Sequence, residues 1–582
     1  MPTTIDRRSF FKKLTSKVEN FQPGGKFTEG LPRELGGKKL FDFGTQELPP
    51  VPPAANPITI QGGLDPYTGP WEYDQAAHLL RRTTFGLKKS DLDLLLTMTM
   101  SEAVDHLLTE PAQAPAPPAN NYNNDDFTDP DVPAGETWID ADFNVDAEFW
   151  RIESFRGWWT ELMLNTEASI LERMTLFWHN HFATQSSAIF YGKINYKHNV
   201  LLRSNALGNF KALTKAVTVD PMMLFYLNGY LNGKDAPDEN YARELQELFT
   251  IGKEYPSQYT EEDVVQAARV LTGWRVNWLP GESFFFPPEH DAGNKQFSAF
   301  YDNTVIQGQT LDGEAELDAL LDMIFARPEV AKFLCRKLYR WFVYYHIDDE
   351  VEQNVIEPLA DIFRNNNYDI KPVLQTLLSS EHFYNALYTG CFIKTPIDIV
   401  VGTLRSFNLS IPASTLWDDF NMKYILTWLH SIMQMVPGDP PNVAGWQAFR
   451  QSPQYYRMWI NGDTARNRNW YTDILTQWHI DTDNDQLKID HIAFASQFDA
   501  PEDPKALVDD MTRLLLPQPI SEQKKLLLKN VLLSGLPNDS YWTVAWFEYQ
   551  NNPSDPMAFE VVNFRLSVLT KYILSLAEYQ LA

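Results

Sequence analysis

A mainly α fold, built as a large multi-helix array with long irregular insertions and minor β-hairpin content, is what this sequence predicts. Three observations carry that expectation. Apolar residues recur at helical spacing through most of the chain, as in Ala76, Ala77, Leu79, Leu80 and Phe85, or Val264, Val265, Ala268 and Leu271. Start and stop signals bracket such runs: Thr260 and Asp263 are spaced as a capping box before the second of them, and Gly273 follows it. Strand-like sequence is confined to short pieces such as Phe284-Phe285-Phe286. No repeat of fixed period is present, so a regular solenoid is not expected.

At 582 residues the chain exceeds one ordinary core, and a hydrophobic content of 44 % is ample to fill more than one. Three regions are expected. Residues 1–70 form an N-terminal arm with a basic start and an extended Pro/Gly-rich segment, including Gln22-Pro23-Gly24-Gly25 and Pro49-Pro50-Val51-Pro52-Pro53. Residues 71–410 form a helical core. Its first helix starts near Asp74 and stops at Gly86, with Arg81 and Arg82 on the polar side, and a second runs from Asp91 to Leu108. A Pro-rich and acidic surface insertion occupies 111–146, and residues 276–312 are irregular. Residues 411–582 form a C-terminal helical region packed on the core.

Charge narrows the partners. Lys and Arg number 49 against 76 Asp and Glu, a net −27, which repels phosphate backbones and anionic lipid, so nucleic acid is not expected. No run of apolar residues is long enough for a transmembrane segment. The two cysteines, Cys335 and Cys391, are too few for a disulfide scaffold, and Cys335 among Phe333, Leu334 and Leu338 reads as a buried thiol.

At the N-terminus, Asp6-Arg7-Arg8-Ser9-Phe10-Phe11-Lys12 has the look of a twin-arginine export address. The next residues, Leu14 to Asn20, are polar where such a signal needs an apolar stretch. Arg7 and Arg8 are therefore candidates for partner or export recognition. A periplasmic, cell-envelope or extracellular location is one expectation and a cytoplasmic one the other. A basic amphipathic first helix accounts for the same residues.

Chemistry-bearing residues concentrate in a few segments. If Glu239–Phe249 is one continuous helix, Asn240, Arg243, Glu244 and Glu247 share an arc of roughly 100° opposite Tyr241, Leu245, Leu248 and Phe249. Arg243 then pairs with Glu247, and Asn240 with Glu244. Arg243, Glu244 and Glu247 are the candidate catalytic residues, Arg243 orienting an anion and a glutamate acting as base or metal ligand. A solvated polar face is the alternative.

His179 and His181 share a face only in an extended chain, because a helix separates them by about 200°. A metal held by both needs the helix Leu171–Phe177 to end near His179. With Glu244 or Glu247, and with His290 and Asp291, they make a candidate zinc or iron set; buried hydrogen-bonded histidines are the alternative. Asp481, Asp483, Asp485 and Asp490 are spaced for calcium, although Gln486 and Ile492 stand where an EF-hand needs Gly and Glu. The 17 Trp and 36 Phe suit either a glycan-binding surface or large wedges between helices.

Several segments together carry a family resemblance. They are Ala77 to Gly86, His179-Asn180-His181, Pro221-Met222-Met223-Leu224, Glu239–Phe249 with Gly252, and Leu271-Thr272-Gly273-Trp274. His290-Asp291, Lys394-Thr395-Pro396 and Pro440 to Trp446 complete the set. In this order they resemble the bacterial family called domain of unknown function 1800, from about Ala76 to the C-terminus. The resemblance implies an exported protein and a partner resembling domain of unknown function 1501, which is similar to the sulfatase and alkaline-phosphatase fold. It carries no catalytic residue across. The expected function is an accessory or partner-binding component at the envelope. The alternatives are a metal-dependent hydrolase of an envelope or extracellular polymer, using His179, His181 and Glu244, and a glycan-binding module. The hydrolase would use a divalent metal, and the acidic loop would take calcium.

Overall fold

Capping side chains set most of the helix boundaries. A computed structural model describes residues 63–253, 259–449 and 455–582, with one strand pair in the N-terminal arm, Glu34–Leu35 and Lys38–Lys39. Arg7 and Arg8 lie outside the described residues. Helix accounts for 56 % and strand for 5 %, and every named sheet is a two-stranded antiparallel ribbon, so helix packing organises the core. Among the described residues no helix is long and apolar enough to cross a membrane.

Thr260 and Asp263 form the capping box that starts Glu261–Val270, their side chains bonding each other's backbone N–H. A second box corrects one expectation. Thr99 and Glu102 cap Met100–Leu107, so Asp91 to Leu108 is two helices, Lys89–Leu95 and Met100–Leu107, with a turn between them. The irregular stretch after Gly273 holds the hairpin Trp274–Asn277 with Glu282–Phe285.

The 111–146 insertion is not wholly superficial. Asn120, Tyr122 and Trp138 are fully buried, and Asp129 takes Arg151 Nε at 3.0 Å from the helix Glu148–Asn165. An acidic loop is drawn inward because a buried arginine on the body needs its carboxylate.

The main apolar core runs from Ala76 to Tyr579, with a small separate cluster at Tyr191, Ile194 and Met222. At its centre lies Pro396–Ser406, in which every residue is buried. Such a helix is apolar nearly all round and must be covered on each side. The helices Tyr73–Thr83, Leu171–His181 and Pro328–Phe342 send polar side chains toward its N-terminal end.

Candidate functional site

The helix Leu171–His181 runs through both histidines, so the geometry needed for a shared metal is not formed. The rings diverge. His181 Nε2 donates to the Phe249 carbonyl at 3.0 Å, and its Nδ1 accepts from Lys337 Nζ at 2.9 Å. Those partners fix a neutral tautomer, and burial with the Lys337 charge holds its pKa well below the usual range. His179 packs edge-on against Trp159 at 5.4 Å and beside His198 at 6.0 Å; burial pushes its pKa down to about 3. His198 was not singled out in the sequence, yet Asp220 holds its Nδ1 at 2.8 Å.

The other proposed ligands are engaged elsewhere. His290 Nε2 meets Glu316 at 2.9 Å and its Nδ1 faces the Thr272 carbonyl at 2.8 Å, while Asp291 takes Arg269 Nε at 2.6 Å. In the acidic loop, Asp485 bonds Ser414, Asp490 caps the helix His491–Ser496, and Asp481 pairs with His479 at 3.2 Å. Asp483 lies in the turn of the ribbon Ile480–Asp481 with Gln486–Leu487. Among the described residues no group of three or more His, Cys, Asp or Glu side chains is placed to hold a metal ion.

Glu239–Phe249 also departs from a single α-helix. Asn240–Glu244 is α, and Leu245–Thr250 is π-helical. The expected Arg243–Glu247 pair is absent: Arg243 binds Glu239 at 2.9 Å and Glu261 at 2.7 Å, and Glu247 pairs with Lys253. Burial, and then the neighbouring Glu247 charge, raise the Glu244 pKa. None of the three lines the cleft described next. The π segment matters differently, since widened turns release carbonyls from the regular ladder. Leu248 O accepts from Lys337 Nζ at 3.1 Å and Phe249 O from His181.

Lys337 leads into a cleft. Two adjoining cavities of about 30 and 40 Å³ share Arg340, Trp341, Phe392 and Phe449 as walls. The first is completed by Phe177, Asn180, His181, Lys337, Tyr345 and Ala448, the second chiefly by Arg81, Arg82, Arg173, Thr395, Asp398 and Trp459. Between them the two cavities carry five cationic side chains (Arg81, Arg82, Arg173, Lys337 and Arg340) and one carboxylate side chain, Asp398, which lines the second cavity with all but Lys337.

Arg81, Arg82 and Arg173, and Lys394 near them, have defined partners. Arg81 Nη2 donates to the carbonyls of Arg513, Leu514 and Leu516 at 2.9–3.0 Å, and burial lowers its pKa to about 10. The Arg82 guanidinium lies 4.2 Å from the Phe392 ring centre and donates to Tyr388 O, leaving its buried Nε without an acceptor. Arg173 Nη1 meets Asp398 at 2.8 Å. Asp398 is also the capping-box residue of Pro396–Ser406, taking Thr395 N–H at 3.0 Å. Lys394 Nζ stands 3.8 Å from the Tyr579 ring centre; burial, with Arg81 and Arg468 nearby, lowers its pKa to about 7. Buried cations supported mainly by carbonyls and ring faces favour an anion.

The expectation that Arg81 and Arg82 form a polar face is corrected: both are buried. No local signal marked them, because Asp74 on the same helix is exposed and His78, Thr83 and Thr84 beside them are polar as well. Arg173, Arg340 and Lys394 carried none either.

Asn180 ties a distant loop to this site, its Oδ1 accepting Trp446 N–H at 2.9 Å. Gly445 has φ +81°, and an added Cβ would lie 2.4 Å from that same Oδ1. Gly445→Ala is therefore expected to cost about 2 kcal/mol or more, read as a lower denaturant midpoint with an unchanged slope.

The family described as "Protein of unknown function (DUF1800)" matches residues 78–581, and the chain belongs to it. Among curated proteins and among solved structures, none matches the chain.

Proposed function

We propose that this family member is a non-catalytic binding component that takes a sulfate or phosphate group in the cationic cleft. It works beside a sulfatase- or phosphatase-like partner at the cell envelope or outside the cell. One observation carries the reading: five cationic side chains converge on aromatic-walled cavities in a chain of net charge −27. Arginine forks match tetrahedral oxyanions, and desolvation strengthens each bond. Size excludes a polymer from the interior. A cavity needs about 10–15 Å³ to hold one water, so cavities of 30 and 40 Å³ admit a terminal anionic group and little else. The partner and the exported location rest on the family resemblance and on the Arg7-Arg8 start.

Thermal unfolding in sodium phosphate or sulfate, against sodium chloride at matched ionic strength, tests the binding. Either oxyanion is expected to raise the midpoint by a few degrees at about a hundredfold excess over Kd, through about 2.7 kcal/mol of linkage. Arg340→Ala, on the wall shared by both cavities, is expected to remove that rise. A wild-type protein indifferent to both anions would sink the reading.

A further inference from the structure

A cavity of about 820 Å³ opens between the helices Tyr73–Thr83 and Pro504–Leu515, the loop 516–520 and the segment 384–389. That volume is within the roughly 300–1,000 Å³ of small-molecule sites. Its charged walls mostly cancel. Asp74 pairs with Arg513 at 3.0 Å, and Asp509 with Lys525 at 3.0 Å.

The polar groups left over define what the cavity takes. Arg81 is only 9 % exposed, and only its Nη2 is engaged, so Nε and Nη1 have no acceptor among the described residues. His78 Nε2 donates to the Phe383 carbonyl at 3.2 Å, which leaves Nδ1 of the neutral ring to accept. The Asp510 carboxylate, the Gln75 amide and the Thr389 hydroxyl line the same cavity, without a side-chain partner among the described residues. Burial, and then the Asp499 and Asp509 charges, raise the Asp510 pKa, as befits a carboxylate with no bonded cation.

One buried cation, Arg81, is thus matched by one unpaired carboxylate, Asp510. A small anion entering here meets Asp510, and an amine meets Arg81. A neutral polyol suits every group, because each hydroxyl both donates and accepts. Leu516, Pro517, Pro519 and Ile520 supply an apolar wall for the C–H face of a sugar ring. An extended peptide fits less well. None of the lining residues belongs to a strand, and the carbonyls of Arg513, Leu514 and Leu516 are already taken by Arg81.

We propose that this cavity binds a neutral oligosaccharide, its hydroxyls bonded by Asp510, Gln75, Thr389, His78 and Arg81. The proposal does not rest on the anion reading, since the cavity shares only Arg81 with the cationic cleft.

Saturation-transfer NMR on the full chain with cellotriose, chitotriose, maltotriose and xylotriose, followed by calorimetric titration, is the test. At least one trisaccharide is expected to bind with a millimolar or lower Kd. Asp510→Ala and Gln75→Ala are each expected to weaken it about tenfold. Neither side chain is bonded within the described chain, so both variants should keep at least the wild-type midpoint in urea. No saturation transfer to any of the four sugars would overturn the proposal. So would a Kd unchanged in both variants, which would put the sugar elsewhere. Binding of trialanine in place of the sugars would overturn it too, reassigning the cavity to peptide.

Discussion

The midpoint of thermal unfolding is expected to fall steeply between about pH 7 and pH 5, with buried histidines setting that window. His179 and His430 are held down to about 3 by burial, and His491 to about 4. His78 and His181 are also lowered well below the usual value, by burial and by the Arg82 and Lys337 charges respectively. In the unfolded chain each returns to a pKa near 6.5. Below that pH the unfolded state takes up protons that the native state refuses, so stability falls as pH falls. Each group contributes roughly 1 kcal/mol per pH unit, and five together amount to several kcal/mol by about pH 5. That is a large part of a typical domain's stability. Burial also raises the pKa of Glu148 and Glu244, which opposes the trend nearer the carboxylate range. Calorimetry across this range checks the slope. A midpoint constant down to pH 5 would mean that these rings protonate in place.

Glu316→Ala is expected to cost about 3–5 kcal/mol, more than other single substitutions outside the apolar core. Glu316, His290 and Lys295 have fully buried side chains, and Glu316 bonds both partners while also accepting Gln309 N–H. Its hydrogen bonds hold its own pKa down against the opposing effect of burial. Removing the carboxylate leaves the buried Lys295 ammonium without its counter-charge, and His290 Nε2 and Gln309 N–H without their partner. Glu316→Gln keeps the shape and one acceptor, so it should cost distinctly less. Urea denaturation of both variants, read at constant slope, distinguishes charge loss from cavity formation. Equal costs would assign the effect to packing alone.

Local signals in the sequence translated well where they are self-contained. The Thr260–Asp263 cap needs only neighbouring residues, and it forms as spaced. The Thr99–Glu102 box was equally readable, yet the apolar periodicity of Asp91–Leu108 masked it. A π segment is harder to read, because Leu245–Thr250 has the same apolar spacing as an α-helix and differs only in which carbonyl each amide reaches. Of the candidate site residues among the described ones, only His181 lines the cleft, and it does so as a fixed neutral ring bridging Lys337 and Phe249. The cations that define the cleft come from positions as distant as Arg81 and Arg340. Each looks ordinary in its own helix, and their meaning appears only when Pro396–Ser406 brings them around Asp398.

Anomalous diffraction from crystals of the full chain soaked in sodium tungstate tests the cleft most directly, because tungstate is a heavy tetrahedral oxyanion. The account predicts an anomalous peak among Arg82, Arg173 and Arg340, beside Phe392, that is absent from Arg340→Ala crystals. Peaks confined to surface lysines, with the cavity empty of tungsten, would contradict it.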